Sequence, residues 1–91
     1  MKVVINGCFG GFGLSKEGKE EYFTTSGQQF DRYDDKVRVD PILVDLVELN
    51  SELYSGRSSQ LKVVEIPDDV EFVIVEYDGR EHIAEKHRVW Y

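Results

Sequence analysis

Val70-Glu71-Phe72-Val73-Ile74-Val75-Glu76-Tyr77-Asp78-Gly79-Arg80-Glu81-His82-Ile83-Ala84-Glu85-Lys86-His87 is the stretch whose reading decides the fold. Asp-Gly between two strand-like runs is a strong two-residue hairpin signal, because both central positions of such a turn need positive φ. Val70 to Tyr77 contains Phe72-Val73-Ile74-Val75, which is apolar on both faces of a pleat. That pattern predicts a central strand covered on both sides. Arg80 to about His87 is then the return strand.

Immediately upstream, Leu61-Lys62-Val63-Val64-Glu65-Ile66 is rich in β-branched residues and stops at Pro67-Asp68-Asp69. It reads as another strand followed by a turn. Before it lies the better of two helices. Asp40 is an N-cap, and Pro41 occupies the first helical position, where a missing N–H is no loss. Leu43, Leu46, Val47, Asn50 and Leu53 follow helical spacing, with Ile42 and Leu49 flanking the stripe. Gly56 is placed to stop the helix in a left-handed conformation, so the helix spans about Pro41 to Tyr54.

At the other end of the chain, Lys2-Val3-Val4-Ile5-Asn6 reads as a short buried strand near the centre of the sheet. It runs into Gly7-Cys8-Phe9-Gly10-Gly11-Phe12-Gly13-Leu14-Ser15, with four glycines among the seven residues 7–13. Ser15 is an N-cap for a helix to about Phe23, with Glu17 in its positive first turn and Gly18 weakening its interior. Residues 24–39 are polar and poorly patterned. Thr24-Thr25-Ser26-Gly27 is a turn cluster, and Phe30 to Val39 is a short strand or an irregular loop. The expectation is a single α+β domain over residues 1–91. It is a small mixed β-sheet of four to five strands, with two helices packed on it and a C-terminal β-hairpin.

Composition narrows the class. The chain has 91 residues, 41% of them apolar, enough for one modest core. It holds one cysteine, which rules out an intrachain disulfide framework and fits a reducing compartment. No stretch is long and apolar enough to span a bilayer, and the N-terminus lacks the pattern of a signal peptide. A soluble intracellular protein is expected. The formal net charge is −7. Residues 1–30 balance at three acids and three bases, residues 31–60 carry seven acids to four bases, and residues 61–91 eight to four. Such a chain repels phosphate backbones, so direct nucleic-acid binding is not expected. The acids are interleaved with apolar residues, which favours a solvated acidic face over mimicry of nucleic-acid phosphates.

Two segments carry candidate chemistry. Gly7, Gly10, Gly11 and Gly13 would expose backbone N–H groups to an anion beside Ser15 at the start of the first helix, and Phe9 and Phe12 would stack on a base. The loop is neither a Walker loop nor a dinucleotide fingerprint. The alternative is a tight connection whose glycines permit unusual backbone and whose phenylalanines are core. In the C-terminal run, Lys86 and Arg88 would pair with phosphate, and His87 and Trp90 or Tyr91 would complete the site. The alternative there is a solvated edge strand with Trp90 packed on the sheet. Cys8 would be a nucleophile only with a base such as His82 or His87, and a small buried thiol is the commoner outcome. One cysteine and two histidines do not form a recognised metal-ligand spacing, so no metal or other cofactor is expected. Asp34-Asp35 and Asp68-Asp69 read as turn formers rather than an acid–base couple.

The opening KVVINGCFGGFGLS and the close LKVVEIPDDVEFVIVEYDGREHIAEKHRVW resemble, in order, the two ends of an uncharacterised family of small proteins of tailed bacteriophages and prophages. VDPILVDLVELNSELYSGRSSQLK is similar to the same family more loosely. The family usually has a longer segment between its two helices, so residues 24–39 are a short version and specificity carried there would differ. The resemblance implies a phage or prophage origin and the host bacterial cytoplasm. It brings no enzymatic activity and no catalytic residues to carry over. The functional expectation is a small accessory protein that binds without catalysis. The sharper version is a host-directed inhibitor that occludes a host protein, or sequesters a small anionic nucleotide signal at the glycine loop. The alternatives are a small enzyme pairing Cys8 with a histidine, and a structural or homo-oligomeric phage component.

Overall fold

The computed structural model describes residues 1–86. The order of elements is β1 (Lys2–Asn6), α1 (Lys16–Ser26), a 3-10 helix (Asp35–Val39), α2 (Pro41–Tyr54), β2 (Leu61–Glu65), β3 (Phe72–Tyr77) and β4 (Arg80–Glu85). The class is α+β, as the patterning predicts, but the four strands form two sheets rather than one. β1 pairs antiparallel with β2, and β3 pairs antiparallel with β4.

The first sheet is the covered one. Val3, Val4 and Ile5 of β1 are buried; Val4 joins the core into which α2 lays Leu43, Val44, Leu46 and Val47, while Val3 and Ile5 point to the opposite face of the strand. α1 reaches that core through Tyr22, and the segment after it contributes Phe30, whose ring lies 5.9 Å from that of Phe12 and 5.7 Å from that of Tyr22. Phe30 and the buried Val37 of the 3-10 helix bring residues 24–39 into the core. Residues 24–26 belong to α1, and Phe30 to Val39 holds the 3-10 turn at Asp35–Val39, not a strand.

Local signals hold at the helix starts. Ser15 caps α1, its Oγ accepting the Gly18 N–H at 3.0 Å and donating to the Leu53 carbonyl at 2.7 Å. Asp40 caps α2 by accepting the Ile42 N–H at 2.9 Å, and its other oxygen accepts from the Tyr22 hydroxyl at 2.7 Å. That hydrogen bond, with burial second, pushes the Tyr22 pKa up to about 12.

The helix ends differ from expectation. α1 runs past Phe23 to Ser26 and stops at Gly27, in the left-handed conformation at φ 75°. Ser26 Oγ donates back to the Tyr22 carbonyl, so the supposed turn cluster extends the last helical turn instead. α2 is not closed by a left-handed Gly56. It breaks locally at Asn50 (φ −159°, ψ 84°) and ends on an extended Ser55. Asn50 is exposed and Leu53, beyond the break, is 46% exposed, so after Val47 the buried face of the helix continues at Tyr54 and not through Asn50 and Leu53.

The hairpin forms as its turn dictates, with Asp78 at φ 53° and Gly79 at φ 87°. β3, however, is an edge and not a covered central strand. Val73 and Val75 are 43% and 38% exposed. β1 is not central either. The Gly7 N–H donates to the Gln60 carbonyl and the Ile66 N–H to the Met1 carbonyl. By the alternation of an antiparallel ladder, the odd residues of β1 therefore face β2, while Val4 and Asn6 face the opposite edge. That edge meets side chains where a third strand would lie. Arg38 Nη1 donates to the Val4 carbonyl at 3.2 Å, and Glu81 Oε1 accepts the Asn6 N–H at 2.7 Å.

Candidate functional site

Glu81 of β4 and Arg38 of the 3-10 helix join the two sheets. Arg38 grips the Glu81 carboxylate with both nitrogens, at 2.7 and 2.8 Å, and its guanidinium lies 3.5 Å from the centre of the Phe12 ring. Asn6 completes the joint. Its amide donates to the Cys8 and Gly79 carbonyls at 2.9 and 2.7 Å, and its Oδ1 accepts the Gln60 N–H at 2.8 Å. Glu81 is buried and Arg38 largely so, and the pair is bidentate and further hydrogen-bonded, the condition under which a buried pair is tolerated. Among the described residues no buried side-chain nitrogen or oxygen lacks a partner. Sequence reading passed over this network, because Arg38 and Glu81 are 43 residues apart and each looks like an ordinary surface charge.

The glycine loop is pinned to this joint and to residues 56–60. The N–H groups of Gly7, Gly10 and Gly11 donate to the carbonyls of Gln60, Cys8 and Ser58. They are therefore engaged inside the protein and do not form the anion cradle expected of them. A Cβ on Gly10 would stand 1.6 Å from the Ser58 carbonyl oxygen, and one on Gly79 would stand 2.0 Å from that of Gly10. The hairpin tip thus rests backbone-to-backbone on the loop. Phe12 is core, as the tight-connection reading expects, while Phe9 is 63% exposed and lies 5.6 Å from the Arg80 guanidinium.

Other candidates are separated. Lys86 sits at the open end of the hairpin, where its N–H donates to Glu71. The glycine loop meets the opposite end, at Gly79. The six residues of β4 divide them, seven steps from Gly79 to Lys86 or about 23 Å at 3.3 Å per step. The loop and Lys86 do not converge on one site, and His87, Arg88, Trp90 and Tyr91 lie outside the described residues. The Cys8 thiol donates to Asn6 Oδ1 and to the Ser58 carbonyl, both at 3.4 Å. Neither partner is a base. Among the described residues no group of three His, Cys, Asp or Glu side chains is placed to hold a metal ion, and no helix is long and apolar enough to cross a membrane.

Two open features remain. One is a groove of about 760 Å³ between the glycine loop, residues 29–33 and residues 56–59. The other is the hairpin itself. Its inner face turns Phe72, Ile74, Glu81 and Ile83 towards the body of the protein. Its outer face carries Val73, Val75 and Tyr77 opposite Ala84, His82 and Arg80. Because Glu71 and Lys86 bond across the ladder, so do Val73, Val75 and Tyr77 with their partners. The N–H groups of Phe72, Ile74 and Glu76 therefore point to the free edge.

No protein-family model, no curated protein and no solved structure matches the chain.

Proposed function

We propose that this is a small phage-type accessory protein that acts without catalysis, by occluding a host protein with hairpin β3–β4. What supports the reading is the bare hairpin. Val73, Val75 and the 77%-exposed Tyr77 form one apolar face, beside a β3 edge with no partner strand among the described residues. Exposed edges of this kind are templates for another strand, and soluble proteins usually blunt them. Full burial of a valine contributes about 1.5–3 kcal/mol, so a partner that covers what these side chains still expose gains a substantial part of an interface core. Glu71 and Asp78 flank β3, which holds no base of its own, so a partner strand with basic residues at its ends suits the free edge.

The experiment is retention of proteins from a bacterial host extract on the immobilised protein, comparing wild type with Val75→Lys and with Arg57→Ala. The expected result is a defined host protein held by wild type and by Arg57→Ala but released by Val75→Lys, with circular dichroism unchanged. Equal retention by all three overturns the proposal. So does a wild-type dimer that Val75→Lys splits, since a second copy would then own the face.

A further inference from the structure

We infer that the groove beside the glycine loop is a binding site for a small nucleotide, separate from the hairpin and independent of its proposed role. The glycines carry the argument. Five of the eight glycines are explained by the fold: Gly10 and Gly79 by backbone contact, Gly18 by the Tyr54 carbonyl 2.9 Å from its would-be Cβ, Gly56 by that of Gly13 at 3.1 Å, and Gly27 by its φ of 75°. A Cβ on Gly7 would make ordinary contact with the Gln60 carbonyl at 3.4 Å. Gly11 and Gly13 are not explained in this way. Neither has positive φ, and a Cβ on either would meet nothing within 4 Å. A glycine lowers stability through the entropy of the unfolded chain, so at a compatible position alanine is favoured. Both glycines line the groove, and the open space over them is what close approach of a ligand to the backbone requires.

The other walls state the chemistry of that ligand. Lys19, Arg32 and Arg57 line the groove against one acid, Asp31, in a chain whose net charge is −7. Among the described residues neither Lys19 nor Arg57 takes part in a salt bridge. The Asp31 carboxylate is occupied by the Tyr33 N–H at 2.9 Å. Tyr33 presents a ring that is 78% exposed, with the Arg32 guanidinium 4.9 Å from its centre and bonded to its hydroxyl at 2.7 Å. Cations for phosphate, an exposed ring for a base and backbone without side chains between them fit a phosphorylated planar molecule. The volume of about 760 Å³ is that of a small-molecule site, and the acidic remainder of the surface disfavours a long phosphate backbone.

Calorimetry with ATP, a cyclic dinucleotide, inorganic phosphate and adenosine tests this. Wild type is expected to bind at least one nucleotide, and at least about tenfold more tightly than phosphate or adenosine alone, since charge-assisted contacts and stacking must act together. Arg57→Ala should weaken that binding at least about tenfold. Gly13→Ala should weaken it by as much while leaving the melting temperature unchanged or raised. Val75→Lys should bind as wild type does, even where it has lost a protein partner. Absence of heat with both nucleotides overturns the inference. So does a Gly13→Ala protein that melts lower or binds normally, because the glycine is then structural or irrelevant. Phosphate binding as tightly as a nucleotide marks a plain anion site and also overturns it.

Discussion

β1–β2 and β3–β4 are both two-stranded antiparallel sheets rich in valine and isoleucine, yet they live in different surroundings. In the first, Val3, Val4 and Ile5 are at most 2% exposed, Val4 in the core beneath α2 and Val3 and Ile5 on the opposite face of the strand. In the second, Val73 and Val75 keep 43% and 38% of their surface. Strand chemistry does not account for the contrast. α2 covers one face of the first sheet, and α1 packs on α2. The free edge of β1 is closed by Arg38 and Glu81, so the hairpin docks through a buried ion pair in place of a continuous ladder. The lesson is that an apolar strand flanked by good turns can be built for display.

The largest expected effect comes from breaking that joint. Glu81→Ala leaves Arg38 and the Asn6 N–H buried without their acceptor. Removing one member of a buried pair typically destabilises by about 3–5 kcal/mol. Denaturant unfolding should show a loss of that order, and Arg38→Ala combined with Glu81→Ala should lose much less than the sum of the two single changes. Undiminished stability in Glu81→Ala would mean that the sheets are not joined there.

Next comes the direct contrast of the two sheets. Ile5→Ala should destabilise by about 2–5 kcal/mol through the cavity it leaves, whereas Val75→Ala should stay within about 0.5 kcal/mol. Similar losses at the two positions would put β3 inside a core.

These predictions also mark how far the residues could be read in advance. Asp78-Gly79, Asp40-Pro41 and Ser15 act locally, through φ and through hydrogen bonds to neighbours in sequence, so their turn and caps were legible. Burial of Phe72-Val73-Ile74-Val75 depends on what lies opposite, and a continuous apolar run does not contain that information. Gly27 as a helix stop was hidden because Thr24-Thr25-Ser26 also suits a turn. Phe30 and Val37 were hidden because each stands alone in a polar segment. The glycine loop was legible as special, but its partners, Ser58, Gln60 and Gly79, lie roughly 50 to 70 residues away. Lys19, Arg32 and Arg57 come from three separate segments, so no spacing could reveal their common groove.

A smaller effect tests the covered half through pH. The Tyr22 hydroxyl donates to Asp40, and its folded pKa is raised to about 12 from an ordinary value of 10.0. A raised folded pKa gives stability that is fully present below the unfolded pKa and is lost as pH rises through the folded one. Stability should therefore fall between about pH 10 and 12, and Tyr22→Phe should flatten that fall. An identical alkaline profile in the variant would remove the hydrogen bond from the account.

The smallest effect is expected at Asp68. The N-terminal ammonium holds its carboxyl below the ordinary carboxylate range, but the group is fully exposed. A depressed folded pKa gives stability above the unfolded pKa that is lost as pH falls. Asp68→Asn should change stability little at neutral pH and less still in high salt. A large loss would show that the β2–β3 connection anchors the hairpin more firmly than the Glu81 joint does.

The central claim, that the first sheet is closed and the second displays an open edge, is tested most directly by amide hydrogen exchange resolved by residue. Val3 and Ile5, bonded to β2, should be strongly protected. So should Asn6, whose N–H donates to the buried Glu81 carboxylate at 2.7 Å. Phe72, Ile74 and Glu76 should exchange near the rate of an unstructured chain, between protected neighbours at Val73 and Val75. Protection of Phe72, Ile74 and Glu76 comparable to that of Val3 and Ile5 in the isolated protein would mean that the β3 edge is already paired, and would contradict the account.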